Sequence, residues 1–188
     1  MSPRAASAQL VAAALDFIGD GAARVVDVGT GTGALAIAIA SAAPRAVVWA
    51  TDTSADAVAV TRANALRHGL ADHIIVCHAD LLDPVPSQID LVVANLPYLR
   101  AADAAQFPDL ASEPSDAVFA EGDGLEHYRR LLTVCYGRLS ASGAVAIQLH
   151  RRVFMARRDE LPRLCAEIEA VHRLALSSSR PRHLAAAA

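Results

Sequence analysis

Apolar residues along the chain follow two spacings that alternate with each other. Stretches with apolar positions three or four residues apart predict helices, whereas short, nearly continuous apolar runs predict buried strands. The predicted helices occupy residues 6–18, 34–42, 54–68, 125–139 and 153–167. The predicted strands occupy residues 24–28, 46–51, 74–77, 89–94, 144–149 and 168–176, with a last short piece at 183–187.

This alternation predicts the fold class. Apolar strands separated by helices are typical of an α/β protein whose mostly parallel sheet is covered by helices on both faces. The sequence has no internal repeat, so we expect residues 1–188 to form a single domain that begins with a helix within residues 1–20. Ligands of such sheets bind beyond the carboxyl ends of the strands, near the reversal in strand order.

One connection interrupts the alternation. Residues 100–123 are polar and irregular, and they include Pro108, Pro114 and several acidic residues. A connection of this length without regular structure usually has a function in a compact domain. We therefore expect this segment to form a lid over the substrate.

Composition and charge narrow the classes of function. With 54% hydrophobic and 20% charged residues, the 188-residue chain can bury a substantial core. The net charge of −3 provides no basic field for nucleic acid. No apolar stretch is long enough to span a bilayer and no secretory signal is evident, so we expect a cytoplasmic protein. The cysteines and histidines lack ligand spacing, and we expect no metal site.

The first predicted strand ends in a glycine-rich segment, residues 29–33, which we call the glycine turn. Its glycines allow a tight turn and the close approach of a ligand to the backbone. The spacing also fits the fingerprint of dinucleotide-binding proteins, so the glycine turn alone leaves the cofactor open. Asp52, at the end of the second strand, suits the ribose hydroxyls of either cofactor.

Two acidic residues follow the third predicted strand. Asp80 is placed to accept a hydrogen bond from an adenine amino group, while the neighbouring Leu81 packs on the ring. The alternative is that Asp80 and Asp83 only terminate the strand, as turn-forming residues often do.

Residues 95–98, which we call the Asn95 turn, follow the apolar strand 89–94. They bring a side-chain amide, a backbone carbonyl stiffened by Pro97 and an aromatic ring to the edge of the sheet. The Asn95 oxygen and the Leu96 carbonyl can accept hydrogen bonds from a weakly nucleophilic nitrogen, and Tyr98 can pack on a flat group. The alternative is a simple turn that ends the strand.

In this order and on successive strand ends, these motifs resemble those of class I S-adenosylmethionine-dependent methyltransferases. The resemblance is carried by residues 27–33, 51–52, 79–81 and 95–98. Residues 113–114, 122–125 and 128–130 make the chain similar to the HemK/PrmC family of protein-(glutamine-N5) methyltransferases, which act on peptide chain release factors. The similarity spans about residues 3–148.

The resemblance implies a Rossmann-like class I methyltransferase fold with a mostly parallel, seven-stranded sheet. It implies S-adenosylmethionine as the cofactor, a release factor or another protein with an exposed glutamine as the substrate, and no role for nucleic acid or membrane. The implied catalytic residues are Asn95, Leu96, Pro97 and Tyr98. The implied cofactor-binding residues are Asp27, Gly29, Thr30, Gly31, Thr32, Gly33, Asp52, Asp80, Leu81 and Asn95.

The sequence departs from the family pattern in three respects. The family usually has a helical N-terminal domain that helps to hold the release factor, whereas this chain begins almost directly at the expected catalytic domain. Leu96 stands where the family usually has Pro. The leucine keeps the backbone carbonyl but makes the backbone less rigid. Gln148 stands where the family commonly has Glu.

Three other functions remain open at this stage. Asn-Leu-Pro-Tyr also occurs in enzymes that resemble rRNA adenine dimethylases, so the acceptor could be an adenine amino group or a small molecule. A nicotinamide-dependent oxidoreductase would use the same glycine turn, although a chain without Lys cannot supply a Tyr-x-x-x-Lys pair. A non-catalytic module that binds the cofactor is the third.

Overall fold

The computed structural model describes residues 5–100, 118–120, 122, 124–149 and 184–187. Its elements, in chain order, are α1 (Ala5–Ile18), β1 (Arg24–Val28), α2 (Ala34–Ala42), β2 (Val47–Asp52), α3 (Ala55–Arg67), β3 (Ile74–His78), β4 (Ile89–Ala94), α4 (Glu126–Cys135), β5 (Leu139–Gln148) and β6 (Leu184–Ala187). The helix predicted at 153–167 and the strand predicted at 168–176 lie outside the described residues. None of the helices in the described part is long and apolar enough to cross a membrane.

The described strands form one sheet with the order β3-β2-β1-β4-β5-β6. Every neighbouring pair in it is parallel. The predicted α/β, Rossmann-like class is therefore confirmed, with six strands described of the seven expected. The strand order reverses between β1 and β4, so the carboxyl ends of these two strands border the crevice in which such sheets bind ligands.

Side chains of the sheet alternate between two apolar layers, because successive residues of a strand point to opposite faces. Val25 and Leu91 belong to the layer that contains the buried residues of α1, α2 and α3. Val26 and Val92 belong to the layer that contains those of α4. Helices thus cover both faces of the sheet, as the continuous apolar strands predicted.

The boundary between α4 and β5 differs from the prediction. The helix ends at Cys135 instead of residue 139, and β5 begins at Leu139 instead of residue 144. Gly137 adopts a left-handed conformation with φ 72°, which ends the helix. The Arg138 side chain then donates hydrogen bonds to the carbonyls of Leu82 and Val85, and so fixes the chain as it enters β5.

Candidate functional site

The glycine turn and the Asn95 turn meet where the strand order reverses. Gly29 follows β1 with φ 69°, and a Cβ atom added to it would lie 2.6 Å from Cδ2 of Leu96. Both the backbone conformation and the close approach of Leu96 therefore favour glycine at this position. The contact brings together the two segments that the sequence analysis assigned to the cofactor and to the acceptor.

The end of β2 holds the glycine turn in place. The Thr51 carbonyl accepts hydrogen bonds from the N–H groups of Gly29 at 2.9 Å and Thr30 at 3.1 Å. One Asp52 carboxylate oxygen accepts from the Gly31 N–H at 2.9 Å, and the other accepts from the Ser54 N–H at 2.8 Å. Because a carboxylate oxygen has two lone pairs, Asp52 can accept further hydrogen bonds from a ligand.

Helix α3 supports the same turn from the side. The buried Thr61 hydroxyl donates to the Gly31 carbonyl at 3.0 Å, and the Asn64 amide donates to the Thr32 carbonyl at 2.9 Å. Neither residue has a role predicted from the sequence. A signal was present, because Thr61 is a polar residue in the buried stripe of α3 between Val58 and Ala65.

Asp27 lies beneath the glycine turn and is fully buried. Its Oδ2 accepts hydrogen bonds from the Thr30 hydroxyl at 2.7 Å and the Ala36 N–H at 3.1 Å, whereas its Oδ1 has no partner among the described residues. Burial raises the pKa of Asp27 to about 6, against the opposing effect of the two hydrogen bonds. At pH 7 most of these carboxyl groups are therefore ionised.

Gly31 borders open space. It has φ 60°, and a Cβ atom added to it would meet nothing within 4 Å, in contrast to Gly29 and Gly33. Gly29 is packed against Leu96, and Gly33 against the Thr61 side chain. The middle of the glycine turn is thus the part that a ligand can approach without displacing protein atoms.

The turn after β3 is held by two other elements. Strand β3 ends at His78, and Asp80 lies two residues beyond it. The Asp80 carboxylate pairs with the Arg130 guanidinium of α4 at 2.5 Å, and both side chains are about half exposed. Leu81 is nearly buried and has φ 48°, a strained conformation for a residue other than glycine. The Thr51 hydroxyl donates to the Leu81 carbonyl at 2.8 Å and supports this conformation.

The Asn95 turn combines one buried residue with an Asn95 side chain that has no partner in the described part of the chain. Asn95, Pro97 and Tyr98 are partly exposed, whereas Leu96 is buried. No hydrogen bond joins the Asn95 side chain to any part of the chain that the structure describes. The Asn95 amide is therefore available to a ligand at the carboxyl end of β4.

Tyr128 of α4 contacts the backbone of this turn. Its hydroxyl accepts a hydrogen bond from the Leu96 N–H at 3.1 Å and lies 3.2 Å from the Leu96 carbonyl oxygen. It also donates to the Gln148 carbonyl at 2.7 Å. From the sequence, Tyr128 was predicted only as part of the motif at residues 128–130, without a role of its own.

The predicted lid lies mostly outside the described residues. Of residues 100–123, the structure describes Arg100, residues 118–120 and Gly122. Phe119 forms an isolated parallel bridge with Leu99, the residue after the Asn95 turn. This bridge ties the end of the segment to the site, while its role as a lid stays a prediction.

The region that contains the two turns matches a known protein family. A family model described as the methyltransferase small domain matches residues 6–112, which is more than half of the chain and includes the glycine turn and the Asn95 turn. The chain belongs to the methyltransferase small domain family. The resemblance that the motifs indicated is thereby confirmed at the level of the family.

Curated relatives of this methyltransferase domain include proteins named glutamine methyltransferases. The chain is 39% identical over 151 residues to a release factor glutamine methyltransferase of Gloeobacter violaceus, covering 78% of the chain and 53% of the relative. It is 34% identical over 115 residues to a ribosomal protein uL3 glutamine methyltransferase of Burkholderia pseudomallei, covering 56% of the chain and 38% of the relative. The chain thus spans about half of the first relative and less of the second.

A solved structure shows the same fold. The crystal structure of the ribosomal protein L11 methylase of Lactobacillus delbrueckii subsp. bulgaricus matches with a TM-score of 0.63 and 23% identity, covering 89% of this chain and 70% of that one. The sheet described here is therefore a Rossmann-like methyltransferase sheet.

Proposed function

We propose that this chain is an S-adenosylmethionine-dependent methyltransferase that methylates the side-chain nitrogen of a glutamine in a protein. The observation that carries the proposal is the Asn95 amide, which has no partner in the described part and belongs to the residue directly before Leu96. Leu96 in turn packs against the glycine turn. An acceptor held by Asn95 would therefore lie next to a cofactor held by the glycine turn.

The glycine turn and its surroundings fit this cofactor. When bound, S-adenosylmethionine supplies an electrophilic methyl group carried on a positively charged sulfur. The carboxylates of Asp27 and Asp52 complement the cofactor's positive charges, and the Asp27 Oδ1 has no partner among the described residues. The open space beside Gly31 admits the ligand to the backbone. We assign the methionine part to the glycine turn and the ribose to Asp52.

We assign the adenine to Asp80 and Leu81. The pairing of Asp80 with Arg130 does not oppose this assignment, because an ion pair this exposed contributes only about 0.2–1 kcal/mol. The Asp80 carboxylate can therefore accept a hydrogen bond from the adenine amino group, while Leu81 packs on the ring. The bond from Thr51 to the Leu81 carbonyl keeps this turn in its strained form.

Thr51 provides a test of the adenine assignment. We expect Thr51→Val, which has the same shape but no hydroxyl, to weaken the binding of S-adenosylhomocysteine by about 2- to 13-fold, since a lost hydrogen bond costs about 0.5–1.5 kcal/mol. Thr51→Ser keeps the hydroxyl and should bind like the wild type. Isothermal titration calorimetry measures both affinities. If Thr51→Val and Thr51→Ser bind S-adenosylhomocysteine with equal affinity, the Leu81 turn is not part of the cofactor site.

The Asn95 turn has to make a poor nucleophile reactive. The lone pair of an amide nitrogen is delocalised into its carbonyl. Most of the rate enhancement must therefore come from positioning the nitrogen and from the charges around it. The Asn95 side-chain oxygen and the Leu96 carbonyl would accept hydrogen bonds from the two N–H groups of the glutamine amide. They would hold its nitrogen still and favour the positive charge that develops there.

The other two residues of the turn shape the site. Pro97 restricts the backbone that presents the Leu96 carbonyl, and Tyr98 offers a flat face to the amide plane. The Tyr128 hydroxyl has a single proton, and we assign it to the Gln148 carbonyl at 2.7 Å rather than to the Leu96 carbonyl at 3.2 Å. The Leu96 carbonyl then remains an acceptor for the substrate. We assign no general base, because water can take the released proton.

The class of acceptor can be tested by offering the candidate substrates one at a time. The purified chain is incubated with S-adenosylmethionine labelled in its methyl group and with a release factor that carries a Gly-Gly-Gln loop, ribosomal protein uL3 or an adenine-containing RNA. We expect label on the release factor and none on the RNA, since a chain of net charge −3 lacks a basic field for a phosphate backbone. Label on the RNA alone would contradict the glutamine assignment.

A second titration separates the cofactor classes. We expect S-adenosylhomocysteine to bind and NAD not to bind, because the chain belongs to a methyltransferase family. Binding of NAD alone would exclude the proposed reaction.

A further inference from the structure

Tyr128 is the largest of the fully buried side chains in the described part, and its hydroxyl reaches two strand ends. It accepts a hydrogen bond from the Leu96 N–H and donates one to the Gln148 carbonyl. Burial raises the pKa of Tyr128 well above its ordinary value, so the hydroxyl stays protonated and able to donate. A buried hydroxyl with both roles filled is a fixed part of the structure.

The hydroxyl lies where the pairing of β4 and β5 ends. The last paired residues of these strands are Ala94 and Ile147. One residue further along β5, the Gln148 carbonyl is linked to the Leu96 N–H through the Tyr128 hydroxyl rather than directly. Helix α4 thus inserts a side chain between the two strand ends, close in sequence to Asn95, whose amide has no partner among the described residues.

Leu96 needs such a restraint because it is not a proline. A proline at this position would have a fixed φ and no N–H group to satisfy. Leucine has a free φ and a buried N–H, and an unpaired buried donor destabilises the conformation that contains it. The Tyr128 hydroxyl contacts the backbone on both sides of the Leu96 Cα, at its N–H and at its carbonyl.

We propose that the Tyr128 hydroxyl is a positioning group that fixes the Leu96 backbone, and thereby sets the Leu96 carbonyl and Asn95 for the acceptor amide. This inference rests on the proposed function for the identity of the acceptor. It adds that part of the geometry of the Asn95 turn is imposed by α4, from outside the turn itself. Tyr128 acts through Leu96 and does not touch the substrate.

The test is Tyr128→Phe, which removes only the hydroxyl. We expect kcat to fall by about 10- to 30-fold, with the affinity for S-adenosylhomocysteine within about twofold of wild type, since a misplaced acceptor costs rate more than cofactor binding. Exchange of the Leu96 amide hydrogen, measured by NMR, should become at least about tenfold faster, because the amide has lost its acceptor.

A matched control is available on the same helix. Tyr136→Phe deletes the same atom at the C-cap of α4, about 12 Å further along the helix axis. We expect this variant to keep the wild-type kcat and the wild-type exchange of the Leu96 amide. If Tyr136→Phe lowers kcat as much as Tyr128→Phe does, the effect belongs to the helix in general and the positioning role is wrong.

A double-mutant cycle isolates the bond to Leu96. Leu96→Pro removes the N–H that the Tyr128 hydroxyl accepts from and fixes φ by another means. Tyr128→Phe should therefore lower kcat by no more than about threefold in the Leu96→Pro background, because coupled residues are not additive. An undiminished effect in that background would overturn the proposal.

Two further outcomes bear on the positioning role of Tyr128. If Tyr128→Phe does not fold, the test is hydrogen exchange of the Leu96 amide in the wild type. We expect this exchange to be at least about 100-fold slower than in an unstructured peptide. Unprotected exchange would overturn the positioning role. If the wild type methylates no glutamine while Leu96 exchange still rises in Tyr128→Phe, the proposed function fails and the positioning of Leu96 by Tyr128 stands.

Discussion

Asn95→Ala should lower kcat for glutamine methylation by about 100-fold or more, because removal of one preorganised polar group at a reacting centre costs about this much. The Asn95 side chain has no other partner in the described part of the chain, so its loss leaves no protein group unpaired. We therefore expect thermal stability close to that of the wild type. Affinity for S-adenosylhomocysteine should stay within about threefold, since the glycine turn and Asp52 are intact.

Asn95→Asp is the matched control for this experiment. It keeps an oxygen at the same place and should retain more activity than Asn95→Ala, because the substrate amide still finds an acceptor. The measurement is a single-turnover assay at saturating cofactor, combined with calorimetric titration. Unchanged methyl transfer by Asn95→Ala would remove Asn95 from catalysis. A loss of affinity as large as the loss of rate would assign Asn95 to the cofactor instead.

Asp27→Asn is expected to weaken cofactor binding at pH 7 by about tenfold or more, because it removes a buried charge below the glycine turn. The amide can still accept from the Thr30 hydroxyl and the Ala36 N–H, which the carboxylate binds in the wild type. Asp90→Asn is the control for cofactor affinity. Like Asp27, the Asp90 carboxylate accepts hydrogen bonds from a backbone N–H and from a hydroxyl. Asp90 lies near the start of β4, however, at the other end of that strand from the Asn95 turn.

Asp27 should also make stability depend on pH. Its pKa is raised from 3.8 to about 6 in the folded chain, so the folded state binds more protons than the unfolded state between these values. Stability of the cofactor-free protein should therefore fall as pH rises from about 4 to about 6, by about 3 kcal/mol in total, since each unit of pKa shift corresponds to about 1.4 kcal/mol. Asp27→Asn should lose this contribution.

Urea denaturation of the wild type and Asp27→Asn at pH 4, 5, 6 and 7 measures this dependence. Cofactor affinity should move in the opposite direction for the wild type and weaken as pH falls below about 6, because Asp27 becomes neutral. In Asp27→Asn this part of the pH dependence of affinity should be absent. Identical pH profiles for the two proteins, in both stability and affinity, would show that Asp27 has its ordinary pKa.

The sequence predicted those parts of the molecule that depend on local pattern. Strand β4 has the predicted boundaries, because its apolar run ends sharply at Asn95. The helix predicted at residues 54–68 is α3, and its first predicted residue, Ser54, is the N-cap, since a side-chain oxygen before a helix satisfies a free backbone N–H. These signals lie within a few residues of the feature that they predict.

Other parts depend on contacts that no local pattern records. Residues 140–143 of β5 include two serines and a glycine and no large apolar side chain, and they join the sheet because Leu139 pairs with Ile89. Gly143 fits there because a Cβ atom would lie 2.6 Å from the Ile89 carbonyl oxygen. The contact between Arg130 and Asp80 and that between Tyr128 and Leu96 join residues far apart in the chain. Folding alone brings them together.

The most direct test of the central claim is to locate the methyl group on the substrate. A release factor with a Gly-Gly-Gln loop is incubated with S-adenosylmethionine and the wild-type chain, then digested and sequenced by tandem mass spectrometry, with a Gln-to-Ala release factor and the Asn95→Ala enzyme in parallel. We predict one added methyl group on the side chain of that glutamine, and none in either control. A methyl group on another residue, or an equal yield with Asn95→Ala, would contradict the account.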